Sequence, residues 1–262
     1  MRSRDPKLST PEQGDFYCGL VAAAYDPYLA SVDFADGPFY RRLIEQQGGA
    51  ALELACGTGR LLVPYSLAGL KVEGLDASAE MLARCAEKAA AAGVTVPLHH
   101  AAMESFELRR RYRVIYCPLG SFMLLSDAAL QRAALAACRA HLEPGGLLAL
   151  CLDRPSPTEP MAAPRLRREA RRADGALLRA WEQALVSDAP GVECWRMTNE
   201  VLVDNRVVAQ ETHVMQLRPR APEAMARLLT ATGFTDLVLL DDSGARALQE
   251  SDESFIVTAR RL

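Results

Sequence analysis

The stretch Glu53-Leu54-Ala55-Cys56-Gly57-Thr58-Gly59-Arg60 decides how the chain is read. Ala50-Ala51-Leu52-Glu53-Leu54-Ala55 has the make-up of a short strand, and residues 60–67 continue as a helix. The glycines between them allow left-handed dihedrals and let the backbone approach a ligand closely. Working outward, residues 70–75 predict a second strand ending at Asp76. A helix over 78–92 follows, with Met81, Leu82, Cys85 and Ala89 on one face and Gly93 as its stop. Short strands are predicted at 94–98 and 113–117. A helix then runs from Ser126 or Asp127 to about His141, ended by Glu143-Pro144-Gly145-Gly146, and 147–152 is a fully apolar strand. Strands alternating with helices predict right-handed βαβ units and a three-layer α/β sandwich, its parallel sheet covered on both faces.

Beyond residue 153 the period changes. Pro155, Pro157, Pro160 and Pro164 mark a linker. Strand-like runs at 166–173, 176–186, 192–203 and 206–217 are separated by Asp174-Gly175, Asp188-Ala189-Pro190-Gly191 and Asp204-Asn205. These are hairpin turn signals, so an antiparallel meander is expected, although the arginine-rich run 165–172 suits a helix equally. A helix over 222–232, Gly233-Phe234, and strands at 235–240 and 254–260 follow.

Composition narrows the function classes. The chain has 262 residues, half of them hydrophobic and 24% charged, which is ordinary for a globular protein and unlike a disordered one. A net charge of -3 gives no reason to expect a polyanionic partner. No run of about 18 apolar residues predicts a membrane span, and the polar residues 1–12, with Pro6 and Pro11, do not read as a secretory signal. Seven cysteines without a CxxC pair and four histidines without metal-ligand spacing predict a reduced, cytoplasmic, metal-free protein.

An open α/β sheet binds its ligand in the crevice at the carboxyl ends of its strands. Asp76 ends the second strand, 19 residues after Gly57, where a carboxylate can accept from both hydroxyls of a ribose. A nicotinamide dinucleotide site shares both features, but it needs a third glycine for close helix packing and a free helix N-terminus for pyrophosphate. Leu62 occupies that third position. Glu53 also directs an acid toward the site, poor company for pyrophosphate and good company for an ammonium. The pattern favours an adenosine with a cationic amino-acid tail.

Residues 50–153 resemble the class I S-adenosylmethionine-dependent methyltransferases. The resemblance rests on ELACGTGR (53–60), GLDASAEML (74–82), Ala102-Met103, YRVIYCPLGSF (112–122) and HLEPGG (141–146), with YDPY (25–28) and the closing AxGF (231–234) pointing to the small-molecule branch. That branch includes enzymes similar to glycine N-methyltransferase and antibiotic-sugar N-methyltransferases. The resemblance implies a Rossmann-like, doubly wound seven-stranded sheet with its last strand antiparallel. It implies a helical cap over 1–48, a cofactor-binding core over 49–153, an inserted meander over 154–218 that covers substrate or joins copies, and completion of the core sheet by 219–262.

S-adenosylmethionine is the implied cofactor and S-adenosylhomocysteine the product. Glu53, Ala55 and Gly57 are expected at the methionine moiety, with Gly59 and Arg60 in the same loop and Tyr28 nearby. Asp76 is expected at the ribose, and Ala77, Met81, Ala102 and Met103 around the adenine. The acid this family usually carries just before that methionine is Ala102 here, so Glu104 substitutes or backbone and water hold the adenine. Cys117 and Phe122 are expected where cofactor and acceptor meet, and Tyr25, Phe122 and His213 at the acceptor, with His213 the candidate base. The implied reaction is in-line methyl transfer to a nitrogen or oxygen of a small molecule. The Asp/Asn-Pro-Pro-Tyr arrangement of enzymes acting on nucleic-acid amines is replaced by Cys117-Pro118-Leu119-Gly120, so no nucleic-acid partner is expected. A homodimer through the meander is allowed. A non-catalytic S-adenosylmethionine-binding module and an NAD-dependent oxidoreductase are the competing readings.

Overall fold

A computed structural model describes residues 17–30, 32–156 and 159–262; the polar start at 1–12 and Pro157 lie outside the described residues. The elements run α1 (Gly19–Leu29), α2 (Gly37–Gln47), β1 (Ala51–Leu54), α3 (Leu62–Leu67), β2 (Val72–Asp76), α4 (Ala79–Ala91), β3 (Leu98–His100) and β4 (Tyr112–Cys117). After a short 3-10 turn at Ser121–Leu124 come α5 (Ala128–His141), β5 (Leu142–Asp153), β6 (Arg165–Arg171), β7 (Leu177–Leu185), β8 (Glu193–Val203) and β9 (Arg206–Leu217). The chain finishes with α6 (Pro222–Ala231), β10 (Phe234–Asp241) and β11 (Ser254–Arg261).

Among the described residues the strands form a seven-stranded sheet, ordered β10-β11-β5-β4-β1-β2-β3, and a separate four-stranded sheet, β6-β7-β8-β9. β1 pairs in parallel with β2 and β4, and β4 with β5. Only β11 runs against its neighbours β5 and β10, as expected for the last strand. Chain direction across the sheet reverses between β1 and β4, which opens a crevice at their carboxyl ends.

Side chains alternate through the sheet into two cores. Leu52, Leu54, Ile115, Leu148 and Leu150 pack with Leu135 of α5 and Met225 and Leu229 of α6. Ala51, Val114, Tyr116 and Ala149 point the other way, against Tyr40 of α2, Leu62 of α3 and Cys85 of α4. A fully buried leucine contributes about 1.5–3 kcal/mol, which makes the parallel sheet the rigid part of the molecule. The second sheet lays one face on α1, where Ala24 and Tyr28 meet Leu178, Ala180 and Val201.

One open choice in the sequence reading is decided and one detail departs from it. The arginine-rich run is strand β6, paired antiparallel with β7. Residues 94–97 are not strand, because Val94 donates its N–H back to Ala89 O across Gly93 and closes the α4 C-terminus; pairing with β2 starts only at Leu98.

Candidate active site

The loop after β1 is built from left-handed residues: Ala55 at φ 52°, Gly57 at 54° and Gly59 at 80°. The two glycines do different work. A Cβ on Gly57 would meet only the Tyr25 ring, at 3.8 Å, so this backbone faces open space. One on Gly59 would lie 2.6 Å from Cys85 Sγ and 2.9 Å from Val63, so Gly59 packs on α3 and α4 rather than on a ligand. Non-glycine residues pay about 1–3 kcal/mol to sit in sparsely populated dihedral regions, and Ala55 does so at the mouth of the crevice.

Asp76 fixes this loop. One carboxylate oxygen accepts from Gly57 N–H and the other from Ser78 N–H, each at 2.8 Å. Burial raises its pKa, while these two backbone donors pull the other way. Each oxygen keeps a lone pair for a further donor. Ser78 caps α4 by accepting from Met81 N–H.

The cleft beside Asp76 has an empty volume of about 670 Å³, open solvent at its mouth included. It gathers Tyr25, Ala55, Gly57, Asp76, Ala77, Met81, Ala102 and Met103 from the sequence reading. Met81 is both core and cleft wall. Glu104 also lines it, one position after the methionine instead of one before. Tyr17, Ser121 and Leu124 were missed; the turn at Ser121–Leu124 presents alternate faces, a rotation that no spacing rule reveals.

Several expected residues lie elsewhere. Phe122 and Cys117 point into the core and are absent from the cleft lining. Both terminal guanidinium nitrogens of Arg60 are engaged by Asp36, at 2.7 and 2.6 Å, with the group 4.4 Å above the Phe34 ring. Glu53 is 2% exposed beneath the loop and accepts from Tyr116 Oη at 2.9 Å. Burial pushes its pKa up to about 8, so it is largely protonated at neutral pH. His213 sits on β9 opposite Met197, 3.6 Å from Glu211, and lines neither this cleft nor the chamber described next.

A second chamber, with an empty volume of about 910 Å³, lies between α1 and the four-stranded sheet. Tyr17 and Tyr25, stacked edge to face at 6.0 Å, line both spaces and form their common wall. Tyr28 belongs to this chamber and not to the cleft beside Asp76. Helix α1 is fastened from three sides. Gly19 N–H donates to Glu80 of α4 and Leu20 N–H to Glu211 of β9, satisfying orphan donors of its first turn. Asp26 accepts from Thr58 of the loop at 2.6 Å and from Lys88 of α4 at 2.8 Å.

Residues 51–146 match the family model described as a methyltransferase domain. That match runs from β1 into the fifth strand, β5, and includes the loop after β1. The chain is 35% identical over 142 residues to a dTDP-3-amino-3,6-dideoxy-alpha-D-glucopyranose N,N-dimethyltransferase of Streptomyces fradiae. That match covers 50% of this chain and 52% of the relative, so the chain spans about half the length of the curated relative it matches.

Solved structures share the fold over nearly the whole chain. An S-adenosylmethionine-dependent methyltransferase from Clostridium acetobutylicum superimposes with a TM-score of 0.76 at 18% identity, covering 92% of this chain and 97% of that chain. A sugar N-methyltransferase from Streptoalloteichus gives 0.71 at 21%, covering 100% and 99%. A glycopeptide N-methyltransferase solved with S-adenosylmethionine gives 0.55 at 26%, covering 87% and 96%. Nothing favours a dinucleotide: Leu62, in the third-glycine position, is fully buried.

Proposed function

We propose that this chain is a methyltransferase that moves the methyl group of S-adenosylmethionine to an amine nitrogen of a small molecule, an amino sugar being the first class to try. The observation that carries the reading is the shared Tyr17–Tyr25 wall, which sets a second chamber directly against the cleft. A non-catalytic binding module would need no such chamber. The curated relative, an amino-sugar N,N-dimethyltransferase by name, supports the choice of acceptor.

The residues present fit the cofactor. Asp76 retains acceptor capacity for ribose hydroxyls, the left-handed loop leaves Gly57 open to a ligand, and Met81, Ala102 and Met103 offer an apolar bed for a purine. Bound there, the sulfonium supplies an already activated methyl group. The chain's task is then to align the acceptor and exclude water, and such positioning supplies about 7–11 kcal/mol.

Nitrogen is favoured over oxygen by the chamber's chemistry. Its described lining holds Tyr17, Tyr25, Tyr28, Arg167, Arg168 and Asn199 among apolar groups, with no carboxylate or imidazole. Burial raises the Tyr28 pKa to about 12 and lifts those of Tyr17 and Tyr25, so none is a base at neutral pH. A hydroxyl acceptor would lack a group to take its proton. An amine needs none before attack, and nearby cations keep it in its free-base form.

The test is formation of S-adenosylhomocysteine with 3- and 4-amino sugars, with and without their nucleotide, against the matching hydroxy sugars. Turnover only with amines is expected; failure to bind S-adenosylhomocysteine at all would sink the reading. We also propose that copies pair through the edge of the four-stranded sheet, where Val207 and Val208 of β9 are exposed. Sedimentation as a monomer at working concentration would end that idea.

A further inference from the structure

Helix α1 belongs to the acceptor chamber by packing and to the cofactor cleft by hydrogen bonds. Its apolar side, with Ala24 and Tyr28, lies on Leu178, Ala180 and Val201 of the four-stranded sheet. Toward the cleft the ties are polar. Tyr17 O, just before the helix, accepts from Ser78 Oγ at 2.6 Å, and Gly19 N–H donates to Glu80 at 2.9 Å. Farther along, Asp26 Oδ1 accepts from Thr58 Oγ1 at 2.6 Å and from Lys88 Nζ at 2.8 Å. The helix has little strength of its own. Its 11 residues are marginal in isolation, and Pro27 has no N–H to give the Ala23 carbonyl.

The bond from Thr58 to Asp26 differs from the others in where it lands. Thr58 is 1% exposed and stands between the two glycines of the loop. On one side Gly57 gives its N–H to Asp76 and faces open space; on the other Gly59 packs on Cys85. Whatever rests on the Gly57 backbone therefore sets the position of the Thr58 hydroxyl. At 2.6 Å its bond to the carboxylate is charge-assisted and among the strong ones. The ion pair with Lys88 is exposed on both sides and adds little. Asp26 directly follows Tyr25, whose ring lies 3.8 Å from where a Gly57 Cβ would be and which lines both spaces.

We infer that Asp26 is a positioning residue: through Thr58 it couples occupancy of the cofactor cleft to the order of α1, so that a loaded cleft sets the Tyr25 wall of the acceptor chamber. This goes beyond the methyl-transfer reading but rests on it for what fills the cleft. A bound ligand fixes the loop, the loop fixes Thr58, and Thr58 fixes the helix that carries Tyr25. Local opening is the natural behaviour of a marginal helix held by few contacts, and a ligand that strengthens one of those contacts closes it.

The experiment measures amide hydrogen exchange of the whole protein, free and saturated with S-adenosylhomocysteine, with calorimetry to establish that the ligand is bound. Wild type is compared with Thr58→Val, Thr58→Ser and Asp26→Ala. In wild type the ligand should slow exchange over residues 19–29 at least about tenfold, the worth of one charge-assisted hydrogen bond. Thr58→Val should cut that slowing to within about twofold while residues 72–91 keep theirs, and Thr58→Ser, which retains the hydroxyl, should restore it. A brace that only stabilises the fold would lower protection in the free protein and leave the ligand-induced part unchanged. Equal slowing of α1 in wild type and Thr58→Val, or none in a wild type that binds the ligand, overturns the inference. If Thr58→Val fails to fold or loses protection over 72–91 as well, Asp26→Ala, which leaves the loop's own residues intact, gives the same reading. Failure of wild type to bind S-adenosylhomocysteine sinks the methyl-transfer reading, and this inference falls with it.

Discussion

The cofactor cleft and the acceptor chamber share two tyrosines and almost nothing else. Much of the cleft is made from strand ends and one loop within a short span, with the decisive contact joining Gly57 to Asp76. It works through backbone dihedrals and a carboxylate held by N–H groups. The chamber is assembled from α1 and from β6 through β9, segments far apart in the chain and joined by side chains such as Glu211 of β9, which accepts from Leu20 N–H of α1. A rigid parallel sheet positions the first; a helix suspended between two sheets positions the second. Damage to the cleft should therefore be large and local, and damage to the chamber graded and specific to the acceptor.

The largest effect is expected at Asp76. Replacing it with alanine removes the acceptor for Gly57 N–H and Ser78 N–H along with the proposed ribose partner. Charge-assisted hydrogen bonds are worth about 1.5–3 kcal/mol each, so S-adenosylhomocysteine affinity should fall roughly a hundredfold or more by calorimetry. Retained affinity would mean the ligand is held elsewhere. The paired glycines sharpen the point through stability. Gly59→Ala must place a methyl 2.6 Å from Cys85 Sγ at a φ of 80°, and about 2–4 kcal/mol of destabilisation by urea denaturation is expected. Gly57→Ala, with open space around it, should cost only about 1–2 kcal/mol and lose ligand affinity instead.

The same contrast governs what sequence alone reveals. Gly57 and Asp76 were legible because a strand, a glycine turn and the next strand end lie in register within one short span. The four strands of the cover sheet were legible because Asp174-Gly175 and Asp204-Asn205 punctuate them. Arg60 was misread because its partner, Asp36, lies on a preceding segment that only the folded chain brings near. Phe122 was misread because the phase of a single 3-10 turn decides which side chain faces the cleft. The register shift between Leu166 and Arg168 that lets Arg167 and Arg168 both line the chamber leaves no mark in a run of arginines, since register is set by pairing.

Glu53 tests how the buried side of the cleft responds to pH. Its carboxyl is pushed up to about 8 by burial, against the pull of the Tyr116 hydroxyl. In the unfolded chain the group ionises near the ordinary glutamate value of about 4.3. A folded pKa above the unfolded one adds stability at low pH that is lost as pH rises through the folded value. Between about pH 6 and pH 8 the wild type should lose about 2 kcal/mol relative to Glu53→Gln, whose side chain cannot ionise. Parallel stability curves for the two proteins would show that Glu53 is already charged at pH 6.

The smallest effect is expected at His213, where the chamber reading is most exposed to failure. Its imidazole lies on the face of β9 turned toward α1, 3.6 Å from the Glu211 carboxylate that takes Leu20 N–H. The imidazole lies in one row of β9 with Glu211 and Met215, and it is in neither lining. A general base is worth about 10²–10⁴ in rate, whereas a substitution away from the reacting atoms stays within about threefold. His213→Asn should therefore hold kcat/KM within that narrower range and leave its pH profile unmoved. A hundredfold fall would put the imidazole at the acceptor. The absence of a base from the chamber would then be an error, and with it the preference for nitrogen over oxygen.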